Sequence, residues 1–141
     1  MKAFADLPDN EIMALTIYGE ARGEPYLGKV AVGSVVLNRV DLKGWQGKTI
    51  SEVCLKPYQF SCFLKSDPNS MMLLDIAQDC AHEATVNRVF AICMEVSDGL
   101  ITGTVDRITE GTHYHSTGIK VPNWAYEMKR ADKIGRHIFY R

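Results

Sequence analysis

The sequence predicts one α+β domain that is mostly helical and carries a small β-hairpin or sheet late in the chain. Apolar residues recur at helical spacing over roughly the first 100 positions. Segments rich in threonine, valine and isoleucine, which favour strands, follow only after that point. The length of 141 residues suits a single domain, and the chain contains no internal repeat or long linker. We therefore expect residues 1–141 to fold around one core.

The first two helices are indicated by their boundaries and their apolar content. Pro8 followed by Asp9 is typical of a helix start, and Gly23 favours a helix end close to Arg22. Residues 27–40 are rich in valine, which also suits a strand. Their length and the Gly-Ser pair in their middle favour a buried helix that packs closely on a neighbour.

The middle of the chain is predicted to be helical with one loop. Residues 49–52 form a capping box, which indicates the start of a short helix. Residues 56–63 contain proline and aromatic residues and are expected to form an ordered loop. Residues 70–97 return to helical spacing with room for a break, and Asp98 with Gly99 is expected to end that helix.

The β element is predicted from the last third of the chain. Residues 101–109 are rich in threonine, valine and isoleucine and indicate a strand or hairpin. Residues 135–140 are expected to form a last short strand.

Charge and hydropathy limit the partners that the protein can bind and the places where it can act. The formal net charge of -1 gives no basic field for nucleic acid or an anionic membrane. No apolar run reaches the length of a membrane span, and the first residues do not form a signal peptide. We expect a monomer that is made in the cytoplasm and needs another system, if its target lies outside, to be released.

The four cysteines are Cys54, Cys62, Cys80 and Cys93. They form no C-x-x-C pair and no metal-ligand spacing. Two disulfides with three alternative pairings are compatible with this count. We favour free buried thiols, because Cys80 and Cys93 fall on apolar helix stripes.

Glu20 is the candidate acid of the first helix. It follows Ile17 by one helical turn, so it shares an apolar face close to the negative end of the helix dipole. Both surroundings favour the neutral carboxyl, and a carboxyl that stays protonated near neutral pH can act as a general acid. The alternative is that Glu20 and Arg22 are ordinary surface charges near a helix end.

Several segments, in order along the chain, resemble the SleB-type cell wall hydrolases, which comprise the spore cortex-lytic enzymes and their bacterial and phage relatives. The first is Tyr-Gly-Glu-Ala-Arg-Gly-Glu-Pro-Tyr at residues 18–26. The others lie at residues 28–32, 36–40, 59–62, 111–115, 122–125 and 134–140. The resemblance implies a lysozyme-like fold and cleavage of the MurNAc–GlcNAc β-1,4 bond of peptidoglycan. It also implies that Glu20, the first Glu of the motif, is the catalytic acid.

The resemblance is incomplete at the level of organisation. Unlike the secreted spore enzymes, the protein is expected to have no separate peptidoglycan-binding domain and no signal peptide. A phage endolysin, released for example through a holin, or a bacterial enzyme exported by other means fits this pattern better than a cortex-specific enzyme.

Two reactions can start from one protonated carboxyl. A lytic transglycosylase needs no second carboxylate, because Glu20 can first protonate the leaving oxygen and then deprotonate the muramoyl 6-hydroxyl. A hydrolytic muramidase adds a second carboxylate as nucleophile or base. We favour transglycosylation, which gives 1,6-anhydro-muramoyl products.

The second carboxylate could come from three positions. Glu24 is the nearest along the chain, but Gly23 argues that the helix ends before it. We therefore expect Glu24 to bind a neighbouring backbone amide or Arg22. Asp106 and Glu110 are further candidates that nothing in the sequence places near Glu20.

The segment His113-Tyr114-His115 has two interpretations. Histidines two apart on a strand face the same side and could bind zinc with His137, His82 or a carboxylate, as in a metal-dependent amidase. No zinc motif supports this. We expect the segment to line the cleft, with Tyr114 or a histidine bonded to the catalytic acid or the sugar, and we expect no metal or cofactor.

Three further residues are candidates for sugar binding. Gln59 offers an amide for an N-acetyl group, and Phe60 offers a ring for a sugar face, although core packing suits Phe60 equally. Trp124 is either a sugar platform or a cap on the core. A non-catalytic wall-binding module is the remaining alternative, and the intact Glu20 disfavours it.

Overall fold

A computed structural model of the protein describes residues 4–57, 59–64, 67–78 and 84–141. Within these ranges the helices are α1 (Asp9–Ala21), α2 (Tyr26–Leu42), α3 (Ile50–Leu55), α4 (Pro68–Gln78) and α5 (Ala84–Thr102). The strands are β1 (His113–Ser116), β2 (Arg130–Ile134) and β3 (His137–Tyr140), and short 3-10 turns span Phe4–Asp6, Ser61–Phe63 and Asn123–Glu127. The predicted α+β class is confirmed. None of the described helices has the length and hydropathy of a membrane span.

Helix α1 is the centre of the fold. All residues from Ile12 to Tyr18 are buried, so this helix has no solvent face over nearly two turns. It contacts α2, α3, α4 and α5. Glu20 follows this buried stretch by two residues and is itself half-buried.

Helix α2 confirms the prediction of a buried, closely packed helix over the valine-rich segment. Gly33 allows the close approach, because a Cβ atom there would lie 2.4 Å from Cδ1 of Leu100 in α5. The neighbouring Ser34 donates its hydroxyl to the carbonyl of Val30 at 2.8 Å, so the buried hydroxyl is satisfied.

The predicted capping box and the predicted helical segment 70–97 are both found. Thr49 accepts a hydrogen bond from the backbone N–H of Glu52 at 3.1 Å at the start of α3. Helices α4 and α5 occupy the later segment, and the junction between them, with Cys80, lies outside the described residues.

The predicted helix end at Asp98 and Gly99 is wrong. Helix α5 continues to Thr102 and stops before Gly103, whose φ of +88° favours glycine. Gly99 is kept inside the helix for packing, because a Cβ atom there would lie 2.4 Å from Cγ2 of Val105. Tertiary packing, not helix termination, therefore accounts for this glycine.

The predicted strand or hairpin over residues 101–109 is also wrong. The first two residues finish α5, and residues 103–112 form no helix or strand. Side chains of α2 take the place of a neighbouring strand: the N–H of Ile108 donates to the Ser34 hydroxyl at 3.2 Å. The Asn38 amide donates to the carbonyls of Thr109 at 2.9 Å and Gly111 at 2.8 Å.

The sheet is antiparallel with strand order β1-β3-β2, and the predicted last strand is its centre. Phe139 of β3 is fully buried against Ala31 and Val35 of α2. Tyr114 of β1 lies directly opposite Phe139 in the register. The contact with α2 thus fixes the distance of β1 from the helical core.

The described cysteines support the expectation of free thiols. Cys54, Cys62 and Cys93 are all buried and unpaired by disulfides. Burial raises the pKa of the Cys54 and Cys93 thiols to about 12, so both remain neutral.

Candidate active site

Glu20 lies in the last turn of α1, where the helical core meets the sheet. The phenol of Tyr114 on β1 donates a hydrogen bond to Oε1 of Glu20. This was one of the two roles expected for the histidine–tyrosine segment. The contact joins residues 94 positions apart, and it depends on the docking of β3 against α2.

The surroundings of Glu20 favour its neutral form. Burial is the largest cause and raises the pKa of Glu20; the charge of Asp67 acts in the same direction. Hydrogen bonds from Tyr114 and Cys62 and the positive charge of Arg39 lower the pKa without cancelling the rise. The expected direction is confirmed, and the net result is a carboxyl suited to donate a proton.

Tyr114 is held as a hydrogen-bond donor. Its burial and the nearby Glu20 carboxyl raise the pKa of the phenol well above its ordinary value of 10.0. Its ring lies edge-on to His137 at 4.9 Å and against Phe139 at 5.4 Å between ring centroids. The phenol therefore keeps its proton and a fixed direction toward Glu20.

Arg39 of α2 links the residue before β1 to the loop that contains Gln59. Its Nε donates to the carbonyl of Thr112 at 2.7 Å, immediately before β1. One of its NH groups donates to Oε1 of Gln59 at 3.4 Å. Sequence reasoning missed this role, and the only available signal was the Asn-Arg pair inside one of the family-like segments. Arg39 thus brings a positive charge to the site and also holds the residue before β1 near Gln59.

Phe60 does not have the exposure that the sugar-stacking interpretation requires. Its side chain is 2% exposed and belongs to the core. The Arg39 guanidinium lies over the Phe60 ring, 5.0 Å from its centroid. Of the two expectations for Phe60, core packing is the one found, and the sugar contact is corrected to a supporting role beneath Arg39.

An open groove of about 610 Å³ begins at Tyr114. It contains Arg39, Trp45, Gln59, His113, Tyr114, Trp124, Glu127 and Met128. Gln59, His113, Tyr114 and Trp124 are thus brought together as expected. Sequence reasoning missed Trp45, Glu127 and Met128 as groove residues, since no motif marks them.

A smaller pocket of about 220 Å³ lies on the Glu20 side of the Tyr114–Glu20 hydrogen bond. It is formed by Glu20, Ala21, Gly23, Glu24, Ser116, Arg136 and His137. Glu20 therefore borders one concave surface and its hydrogen-bond partner Tyr114 borders another.

Glu24 makes a structural contact with Arg136. It is buried, and its carboxylate accepts from the backbone N–H of Arg136 at 2.7 Å and from Nε of Arg136 at 3.0 Å. Burial alone would raise the pKa of Glu24, but the hydrogen bonds and charge of Arg136 bring it below its ordinary value. The amide contact is as expected, although with a distant residue, and the proposed pairing with Arg22 is wrong. Arg22 donates to Asn69 instead, at 2.9 Å.

The other candidate carboxylates lie away from Glu20. Glu110 is exposed and pairs with Arg141. Asp106 is exposed and forms part of neither the concave surface that contains Glu20 nor the one that contains Tyr114.

The histidines of β1 are engaged with the protein. His113 and His115 face the same side, as expected, but both pack against Trp124, with centroids 5.5 and 6.0 Å away. His115 has both ring nitrogens within hydrogen-bond distance of partners, at 2.8 Å from the Ser116 carbonyl and 2.8 Å from the Tyr140 hydroxyl. Across the described ranges no three His, Cys, Asp or Glu residues are grouped as metal ligands. The zinc interpretation gains no support from this geometry.

Comparison with known proteins relates this chain to cell wall enzymes. Residues 23–140 match the cell wall hydrolase family. The catalytic domain of the germination-specific lytic transglycosylase SleB from Bacillus anthracis is 30% identical, with a TM-score of 0.65, covering 94% of this chain and 93% of that one. The SleB catalytic domain of Bacillus cereus is 28% identical with a TM-score of 0.60 and covers 94% and 89%. These likenesses confirm the lysozyme-like fold.

The curated relatives are longer proteins. The spore cortex-lytic enzyme of Halalkalibacterium halodurans is 30% identical over 131 residues, which are 93% of this chain and 34% of that protein. The enzyme of Bacillus cereus is 28% identical over the same length, which is 43% of it. The chain therefore spans less than half the length of these relatives.

Proposed function

Because the chain belongs to the cell wall hydrolase family, we propose that it cleaves the MurNAc–GlcNAc β-1,4 bond of peptidoglycan as a lytic transglycosylase. The hydrogen bond between Tyr114 and the half-buried Glu20, each of which borders a concave surface, carries this proposal. The description of the similar Bacillus anthracis domain as a lytic transglycosylase supports it. Loss of turbidity of purified peptidoglycan on addition of the protein is the first test, and walls that stay intact would overturn the proposal.

The reaction needs one carboxyl that changes its role. Neutral Glu20 gives its proton to the glycosidic oxygen as the bond to the muramoyl anomeric carbon breaks. The Glu20 carboxylate, stabilised by the Tyr114 phenol, then removes the proton from the muramoyl 6-hydroxyl. That oxygen closes on the anomeric carbon and forms the 1,6-anhydro ring. Glu20 regains its proton, and no water is consumed.

Tyr114→Phe tests the partner of the acid. The Tyr114 hydrogen bond lowers the pKa of Glu20, so its loss raises that pKa further. We expect kcat/KM to fall about tenfold or more, because the carboxylate loses its donor. We also expect the alkaline limb of the pH profile to move to higher pH. A profile that keeps its alkaline limb in place would contradict the assigned contact.

Asp67 is the carboxylate to examine for the hydrolytic alternative. Its charge acts on Glu20, but its Oδ1 also accepts the backbone N–H of Asn69 at 2.8 Å near the start of α4. If Asp67 only supports the helix and biases the acid, Asp67→Asn lowers the pKa of Glu20 and leaves cleavage within about tenfold of wild type. A loss of more than about 10³-fold would instead favour a hydrolase with Asp67 as its second carboxylate.

We further propose that the protein acts on the wall glycan as a monomer, without nucleic acid or membrane as a partner. The near-neutral net charge of -1 supports this choice of partner. Gel filtration with light scattering tests the oligomeric state, and a mass well above 15.8 kDa would contradict it.

A further inference from the structure

Trp45 has an exposed apolar side chain and lies in a turn closed by a hydrogen bond. Its indole is 62% exposed, immediately after α2. Lys43 ends α2 in the left-handed conformation with φ of 51°. The N–H of Gly47 then donates to the carbonyl of Gly44 at 3.2 Å and closes a turn around Trp45.

Packing fixes the part of this turn that follows the tryptophan. Gly47 has a φ of +132° and lies so close to α3 that a Cβ atom there would be 2.8 Å from the backbone nitrogen of Val53. Gln46, between them, is 5% exposed. The backbone that carries Trp45 is therefore packed against α3, while the indole itself is exposed.

Trp45 forms part of the wall of the groove of about 610 Å³. Trp45, Arg39 and Gln59 come from the helical part, and the residues opposite them come from the sheet and its adjoining turn. Among these is Trp124, which is 36% exposed and packs on His113 and Tyr140 at 5.5 and 5.4 Å between ring centroids. Each half of the protein thus contributes one indole to the same groove.

The chemistry of the groove suits a sugar ring better than the stem peptide of a muropeptide. A pyranose offers apolar C–H faces for indole rings and hydroxyl and acetamido groups for amides and imidazoles. Stem peptides bring carboxylates. The charged residues of the groove are Arg39, which is buried and already bonded to Thr112 and Gln59, and Glu127, which repels anions.

We infer that Trp45 forms a sugar-binding subsite in the groove that also contains Tyr114, in which the indole stacks on an N-acetylated pyranose of the glycan strand. The inference rests on the proposed function, since Tyr114 belongs to this groove and also bonds Glu20. A strand seated on Trp45 continues directly to the bond that Glu20 protonates.

Binding to peptide-free glycan strands tests this subsite. The measurement uses the Glu20→Gln protein, so that no strand is cleaved, and strands from which an amidase has removed all peptides. We expect Trp45→Ala in this background to raise Kd about tenfold and Trp45→Phe to retain most of the affinity. Tyr126→Ala is the matched control, because Tyr126 is 74% exposed and lies outside the groove residues.

Fluorescence gives a second readout that does not depend on a truncated side chain. The chain has two tryptophans, so Trp124→Phe in the Glu20→Gln background leaves Trp45 as the sole indole fluorophore. Its emission is expected to move to shorter wavelength as glycan is added. Unchanged emission, or an unchanged Kd in Trp45→Ala, would overturn the subsite.

Two patterns of results distinguish failure of the proposed subsite from failure of the proposed reaction. If Trp45→Ala weakens binding to intact muropeptide strands but not to peptide-free strands, Trp45 contacts peptide and the inference is wrong. If the wild type cleaves no peptidoglycan while Trp45 still governs glycan affinity, the proposed reaction fails and the subsite stands.

Discussion

Glu20→Gln is expected to abolish peptidoglycan cleavage while the protein remains folded. The amide has nearly the same shape and can still accept the Tyr114 hydrogen bond, but it cannot give a proton to the glycosidic oxygen. General acid–base catalysis contributes about 10²–10⁴-fold, and Glu20 is proposed to act twice, so we expect a loss of at least about 10³-fold in kcat. The measurement is the rate of soluble fragment release at neutral pH.

Glu11→Gln is the matched control for this result. Glu11 lies in the first turn of the same helix, at the end opposite Glu20. It should leave the rate within about twofold of wild type, as expected for a carboxylate away from the chemistry. Fragment release by Glu20→Gln within tenfold of wild type would remove Glu20 from the role of general acid.

The same variant should become relatively more stable as the pH rises. The pKa of Glu20 is raised in the folded protein, so its favourable contribution is complete below the unfolded pKa and is lost as pH rises through the folded pKa. Gln has no such loss. The Tm of Glu20→Gln minus that of wild type should therefore increase between about pH 4 and pH 8.

Glu24→Ala is expected to produce the largest loss of stability among the site residues. The change leaves the Arg136 N–H without its acceptor and separates the α1–α2 corner from the β2–β3 turn. Breaking a buried pair costs about 3–5 kcal/mol, and we lower this to about 2–3 kcal/mol because the Arg136 side chain is 72% exposed. The expected fall in Tm is about 6–12 °C, measured by circular dichroism.

Glu24→Gln separates the charge of this contact from its shape. The amide oxygen can still accept the Arg136 N–H, so we expect a smaller loss at neutral pH. Because the pKa of Glu24 is lowered on folding, its contribution is present above the ordinary value of 4.5 and is lost as pH falls through the folded pKa. The gap between wild type and Glu24→Gln should thus close on acidification. A gap that widens toward low pH, or a Glu24→Ala protein as stable as wild type, would contradict the contact.

The sequence was most informative where a signal is local. The start at Asp9, the capping box at Thr49 and the apolar face that carries Glu20 each depend on neighbours within a few residues. It failed at residues 101–109, where strand-forming side chains meet the polar groups of Ser34 and Asn38 instead of another strand. Those partners lie about 70 positions earlier, and residue propensity carries no information about them.

The same contrast between local signals and contacts of distant residues applies to the candidate site. Glu20 and Tyr114 were expected as acid and neighbour, because the family-like segments mark both. Arg39 and Trp45 were missed, since their roles arise only when α2 and its following turn meet the sheet across the groove. The choice between sugar contact and core packing stayed open for Phe60, because a ring in a polar loop gives no sign of the guanidinium that covers it.

Mass spectrometry of the soluble fragments from purified peptidoglycan tests the central claim most directly, with wild type beside Glu20→Gln. We expect muropeptides with 1,6-anhydro-muramoyl ends from the wild type and none from the variant. Reducing muramoyl ends, one water heavier, would contradict transglycosylation and point to a hydrolase with a second carboxylate. Free stem peptides with intact glycan strands would contradict glycan cleavage altogether.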